Sequence, residues 1–174
     1  FKNEVLKTIN SLEEVKSGVE ENIRFAKEVD EKKKHKKVLV EAMIGGHAPF
    51  TIPDEGLKMM GDAMEKTGRG MHIHVAEASY DSVWSHHFYN KDLADRLDSF
   101  GLLTPKSLIV HGVHLSEKEI ALINERDCFF AVNPRSNMNN NIGCNTKLPL
   151  IKNLCLGTDG CGGNMFEEIK IAFF

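Results

Sequence analysis

Five short apolar runs recur along this chain, each with a polar residue at or just past its end and each followed by a loop and a helical pattern. They are Val38 to Met43, Met71 to Val75, Ser107 to Val110, Cys128 to Val132 and Leu154 to Gly157. The polar residues are His47, His74, His111, Asn133 and Asp159, spaced 27, 37, 22 and 26 apart. No hairpin signal joins any two runs. Strands alternating with helices imply a parallel sheet with covering helices. A (β/α)8 barrel uses roughly 31 residues per unit, so five units fit in 174 residues and eight do not. A doubly wound open sheet competes, but it normally carries a glycine-rich phosphate loop after its first strand, and IGGHAP at 44–49 is not GxGxxG. The expected fold is α/β, a partial (β/α)8 barrel of about five βα units.

The helical segments carry their own signals. From Ser11 to about Val29, Leu12, Val15, Val19, Ile23 and Ala26 form one apolar face, and Ser11 with Glu14 forms a capping box. The cationic run at 31–37 (EKKKHKK) reads as a solvated helix end whose charges suit the negative dipole terminus. Thr51, Pro53 and Asp54 open a second helix with Leu57, Met60, Ala63 and Met64 inward, ended by Gly68. A helical stretch is expected from Asn90 to Phe100 with Gly101 as its stop. Ser116 and Glu119 cap a helix through Arg126, 137–145 reads as a polar Asn-rich loop, and Asn164 caps a last helix.

The chemistry centres on GMHIHVAE at 70–77. Side chains alternate along a strand, so His72 and His74 share a face, and Glu77 falls where a loop can turn it back over them. Imidazole is the commonest metal ligand and a nearby carboxylate the usual proton carrier. An HxH alone can equally be a strand with satisfied core histidines. The recurrence of polar strand ends favours a site, because in parallel barrels that end is the active-site face. Two histidines and an aspartate suit zinc or iron.

Net charge is −3, which leaves no electrostatic footprint for nucleic acid. No apolar run reaches membrane length and no signal-peptide core is visible. Cys128, Cys144, Cys155 and Cys161 show no CxxC spacing and read as free thiols of a reducing cytosol, so a cytoplasmic protein is expected.

HAPFT, HIHVAE, HGVHLS, NPRSNMNN and LGTDG, in this order, resemble the later strand motifs of the amidohydrolase superfamily. They are most similar to its aminohydrolase branch, which contains guanine deaminase, chlorotriazine hydrolases and methylthioadenosine/S-adenosylhomocysteine deaminases. The NPRSN loop and the GTDG–x4–MFEEIKIA wording look most like the SsnA-type aminohydrolases of selenium metabolism. The resemblance runs from about residue 38 to the end.

It implies that His74 is the metal ligand of the fifth barrel strand, that Glu77 shuttles protons, and that His111 on the sixth strand holds the catalytic water. Asp159 on the eighth strand would be both metal ligand and base. His47 would contact substrate, and Asn133 and Asn137 would border it. His72 and His114 match no catalytic role. The family takes two further ligands from an HxH on its first strand, and residues 1–37 hold only His35. The chain therefore looks like an internal part, from the third barrel helix to the eighth strand and its helix (strands 4 to 8), making 1–174 one incomplete metal-dependent hydrolase barrel domain.

The function implied is hydrolytic deamination, or dehalogenation, of a nitrogen heterocycle by a water activated on one divalent metal, with zinc favoured over iron. The 174 residues alone are expected to hold that metal weakly or not at all, to be inactive, and to self-associate as a homo-oligomer. The partner is a small heterocyclic substrate, with neither nucleic acid nor membrane. Two other readings stay open: a non-catalytic metal-binding barrel module, and a metal-independent barrel enzyme using its carboxylates directly.

Overall fold

A computed structural model describes residues 11–36 and 38–173. Five strands form one parallel sheet in sequence order: β1 (Ile44–Gly45), β2 (Met71–Val75), β3 (Leu108–His111), β4 (Phe129–Val132) and β5 (Leu154–Leu156). The helices in chain order are α1 (Leu12–His35), α2 (Asp54–Thr67), α3 (Ser79–Tyr89), α4 (Leu93–Asp98), α5 (Glu117–Glu125), α6 (Pro134–Asn139) and α7 (Met165–Phe173). Every crossover carries a helix, as the alternating sequence pattern requires.

Both expected capping boxes form, at Ser11–Glu14 and Ser116–Glu119. Helix α1 buries Val15, Val19, Ala26 and Val29, while Leu12 in its first turn is largely exposed. Lys32, Lys33 and Lys34 stand in solvent in its last turn; Lys37, the end of the cationic run, lies outside the described residues. Helix α2 buries Leu57, Met60, Ala63 and Met64 as its periodicity predicts, and Gly68 ends it with φ 65. Asn164 Oδ1 accepts the Phe166 N–H and caps α7.

Three expectations are corrected. The first strand was expected at Val38 to Met43, but the paired segment is Ile44–Gly45. The register sets Ile44 against Met71, the first residue of β2, so among the described residues those before Ile44 have no strand beside them. The 90–100 stretch is only α4, and α3 precedes it unannounced. The Asn-rich loop begins as a helix, α6, in which Asn137 is buried.

One face of the sheet packs on the helices. Met71, Ile73 and Val75 of β2, Ile109 of β3 and Phe130 of β4 are fully buried there. The register puts His72, Leu108 and Phe129 in one row across the opposite face, and His74, Val110, Ala131 and Cys155 in the next. His72, Phe129 and Cys155 are exposed. At the edge, Asn22 of α1 brackets Gly45, donating to its carbonyl (3.0 Å) and accepting its N–H (3.2 Å), which satisfies edge-strand backbone. Among the described residues no helix is long and apolar enough to cross a membrane. All four cysteines are free thiols.

Candidate active site

The strand-end groups meet at the C-terminal edge of the sheet. His74 lies on the open side of β2, its ring centroid 5.8 Å from that of His47 and 5.1 Å from that of His111. The His47 carbonyl accepts the His74 N–H at 3.0 Å, which carries the β1–β2 pairing past its last bridged residue and sets the two rings side by side.

Pleating alone would send His111 to the wrong face. It pairs with Val75, which is buried on the helix side. His111 instead takes φ 72, followed by Gly112 at φ 63, and its ring comes to rest beside His74. Ala76 (φ 50) makes a similar break after β2 just before Glu77, and Asp159 (φ 50) another after β5. Left-handed backbone costs a non-glycine residue about 1 kcal/mol, and such strain gathers at functional sites. Bonds from Gly112 N–H to Val75 O (2.9 Å) and from His114 N–H to Ala76 O (3.0 Å) hold the turn that presents Glu77.

His111 is fully buried and its two nitrogens differ. Nδ1 lies 2.9 Å from Asn137 Oδ1. An amide oxygen only accepts, so Nδ1 carries a proton toward it and Nε2 is the nitrogen that faces the site. Nε2 is buried without a hydrogen-bond partner. Glu77 Oε2 stands 3.6 Å from it and Asp159 Oδ2 3.9 Å, too far for hydrogen bonds. An unpartnered buried nitrogen facing two carboxyl groups marks a place for a further polar group between them. His74, Glu77 and His111 each offer a ligand atom within 4.8 Å of the others. Imidazole and carboxylate suit zinc, so this donor set fits a divalent metal. The trio differs from the expected pair, His74 and Asp159, by including Glu77 and His111 and leaving out Asp159.

Burial, and then the neighbouring His111, hold the His74 imidazole below its ordinary value, in the neutral form a metal needs. Asp159 is held below the usual carboxylate range by the Ser136 hydroxyl, which donates to Oδ2 at 2.6 Å, and then by the Gly160 N–H and the two histidines. Asn133 is buried at the start of α6, so close to Gly157 that a Cβ there would come within 2.4 Å of its Oδ1. His47 is exposed at the mouth, with Phe50 and then Tyr80 continuing edge-on from its ring. Sequence reasoning passed over Ser136; no spacing distinguishes it, since its partner Asp159 is 23 residues away.

A sequence profile described as the amidohydrolase family matches residues 4–174. The 5'-deoxyadenosine deaminase of Methanoregula boonei is 38% identical, over 76% of this chain and 32% of its own. The 5-methylthioadenosine/S-adenosylhomocysteine deaminase of Thermococcus sibiricus is 34% identical, over 76% and 33%. The crystal structure of an adenosine deaminase from Xanthomonas campestris with bound zinc superimposes with a TM-score of 0.73 at 28% identity, over 86% of this chain and 35% of that one. The five-stranded sheet thus matches part of an amidohydrolase (β/α)8 barrel. The chain spans about a third of the length of the curated relatives it matches. None of these three names speaks of selenium.

Proposed function

This chain belongs to the amidohydrolase family, and from that we propose that it forms the later strands of a metal-dependent deaminase acting on an adenine-type heterocycle, with adenine nucleosides as the substrate class. The observation that carries the reading is the buried, unpartnered His111 Nε2 facing Glu77 and Asp159, with His74 alongside. The relatives' deaminase names support the substrate class, and the zinc-bound relative supports zinc over iron.

His74 and Asp159 would hold the metal. A bound zinc lowers the pKa of a water toward about 7 and so supplies the nucleophile at neutral pH. Asp159, kept ionised, would take a proton from a water held beside it. His111 accepts a hydrogen bond at Nε2 and fixes the water's orientation. Glu77 delivers a proton to the ring nitrogen beside the attacked carbon. Asp159 would then pass its proton to the exocyclic amine, and Glu77 would regain one from the hydroxyl now on the ring carbon, as the carbon–nitrogen bond breaks, ammonia leaves and a ring carbonyl remains. His47 and Asn133 border the heterocycle. Halide displacement would use the same groups with a different leaving group.

The test uses a protein of the relatives' full length that carries these residues. It combines metal analysis with an ammonia-release screen of adenine nucleosides, guanine and chlorotriazines. Glu77→Gln is expected to cut turnover by about 10²- to 10⁴-fold with metal retained, and Asp159→Asn to lose both. If Glu77→Gln strips the metal, the ligand set is His74, Glu77 and His111, and Glu77 is no proton carrier. Metal without turnover on any of these compounds would favour the binding-module reading; turnover without metal would favour a carboxylate mechanism.

A further inference from the structure

Consecutive residues of one short helix reach two different groups of the site. Ser136 and Asn137 lie in α6 and are each 4% exposed. Ser136 Oγ donates to Asp159 Oδ2 at 2.6 Å, and Asn137 Oδ1 accepts from His111 Nδ1 at 2.9 Å. The groups they hold sit on separate strands' ends, β3 and the loop after β5.

For each group the left-handed backbone sets which way the side chain leaves the strand end, and a partner side chain then holds its ring or carboxylate. His111 sits at a break in β3, where φ 72 takes its side chain out of the strand's alternation. Asp159 stands in a left-handed turn followed by Gly160, Gly162 and Gly163, where adding a Cβ would meet nothing within 4 Å. Helix α6, by contrast, is anchored. The Arg135 backbone N–H and Nε both donate to the Glu168 carboxylate, at 3.2 and 2.5 Å, and its guanidinium also reaches the Gly162 carbonyl. Glu168 is fully buried. The same helix is therefore tied to the loop that carries Asp159, and Asn137 N–H closes back on Asn133 O at 2.9 Å.

We propose that Ser136 and Asn137 are a positioning pair: Ser136 fixes the rotation of the Asp159 carboxylate, and Asn137 fixes the tautomer and tilt of His111, so that α6 sets the relative placement of the base and the water-orienting group. Neither residue touches the reacting atoms. Asn137 selects the Nδ1–H tautomer because its amide oxygen can only accept, leaving Nε2 as an acceptor toward the site. Partners that hold a ligand or base in this way are worth about 10- to 100-fold in metal affinity or activity.

The kinetic arm of the test rests on the deaminase reading; the spectroscopic arm does not. In a zinc-loaded protein of the relatives' full length that carries these residues, Ser136→Ala and Asn137→Leu are expected to lower kcat by about 10- to 100-fold with little change in KM, and Ser136→Thr, which keeps the hydroxyl, to recover most of the loss. Long-range 1H–15N correlation of the histidine rings, assigned with a His111→Gln variant, is expected to show the Nδ1–H tautomer at His111 in the wild type and its loss in Asn137→Leu. A His111 tautomer unchanged by Asn137→Leu overturns the role of Asn137. Wild-type kcat in Ser136→Ala, or no recovery in Ser136→Thr, overturns that of Ser136. A wild type that releases ammonia from no nucleoside defeats the deaminase reading, and the tautomer result still decides the pairing.

Discussion

Asp81 shows how tightly the site's surroundings are packed. It lies in the first turn of α3, four residues past Glu77, and is 3% exposed. Burial pushes its carboxyl up to about 6, against the opposing pull of the Glu77 and Ala76 N–H groups. The turn that presents Glu77 is thus bonded from below by a carboxylate that is costly to ionise. Because the folded pKa lies above the ordinary 3.8, the folded state holds this proton more tightly than the unfolded chain. The resulting stability is fully present below pH 3.8 and is lost as pH rises through about 6. A rise from 3.8 to about 6 corresponds to roughly 3 kcal/mol. Asp81→Asn, neutral at every pH, should therefore be more stable than wild type at pH 8 and lose that advantage by pH 4. Urea melts at the two pH values measure this; a variant less stable at pH 8 would mean that the N–H bonds outweigh the burial cost.

At the scale of elements, Arg96 ties the mouth of the site to the helical layer. It is fully buried on α4, and its guanidinium donates to Asp54 Oδ1 (2.8 Å), Pro49 O (2.7 Å) and Ile52 O (2.8 Å) while stacking 3.6 Å from the Tyr89 ring. Pro49 and Ile52 bracket the turn that follows His47, so one side chain joins β1's outgoing loop, the start of α2 and α3's last turn. A planar fork with several donors does this and an ammonium does not. Arg96→Met leaves the buried Ile52 carbonyl without its guanidinium partner and the Pro49 carbonyl with only the long Ile52 N–H bond (3.4 Å), each loss costing about 1–3 kcal/mol; the Asp54 carboxylate, being partly exposed, can rehydrate. A loss near 3 kcal/mol in denaturant unfolding is expected, and Arg96→Lys should recover only part of it. A loss under about 0.5 kcal/mol, the range of ordinary surface changes, would show that the turn is held by something else.

At the scale of the molecule, the described residues leave apolar surface uncovered on two sides. Phe129 faces out from the open side of the sheet, and Phe166 (84% exposed) and Ile169 (54%) from α7. Leu39, ahead of β1, is 92% exposed. β1 and β5 are edge strands among the described residues, and edges and apolar patches both associate. The 174-residue chain should therefore show concentration-dependent association by sedimentation velocity, reduced in Phe166→Glu/Ile169→Glu. It should also hold zinc weakly, since a catalytic zinc takes three protein ligands and the proposed set within this chain is His74 and Asp159. A monodisperse monomer with stoichiometric zinc would contradict both.

The sequence by itself determined the βα alternation, the parallel sheet, the helix caps and the group of residues at the strand ends, because each is a matter of local period or of side-chain type. The length of β1 was not legible: Val38 to Met43 has strand composition, but a strand exists only where a neighbour offers its backbone, and β2 begins too late for that. Helix α3 carried a visible signal, Tyr80, Trp84 and Phe88 four apart with their rings in contact, though its composition favours strand. What only the tertiary structure decided is the direction of the functional side chains. Alternation along β3 would bury His111 among the helices. Three left-handed residues (Ala76, His111 and Asp159) break that alternation at the strand ends, and α6 holds two of the re-aimed groups in place. Such backbone strain persists only where the surrounding packing over-determines it, and that packing comes from residues far apart in the chain.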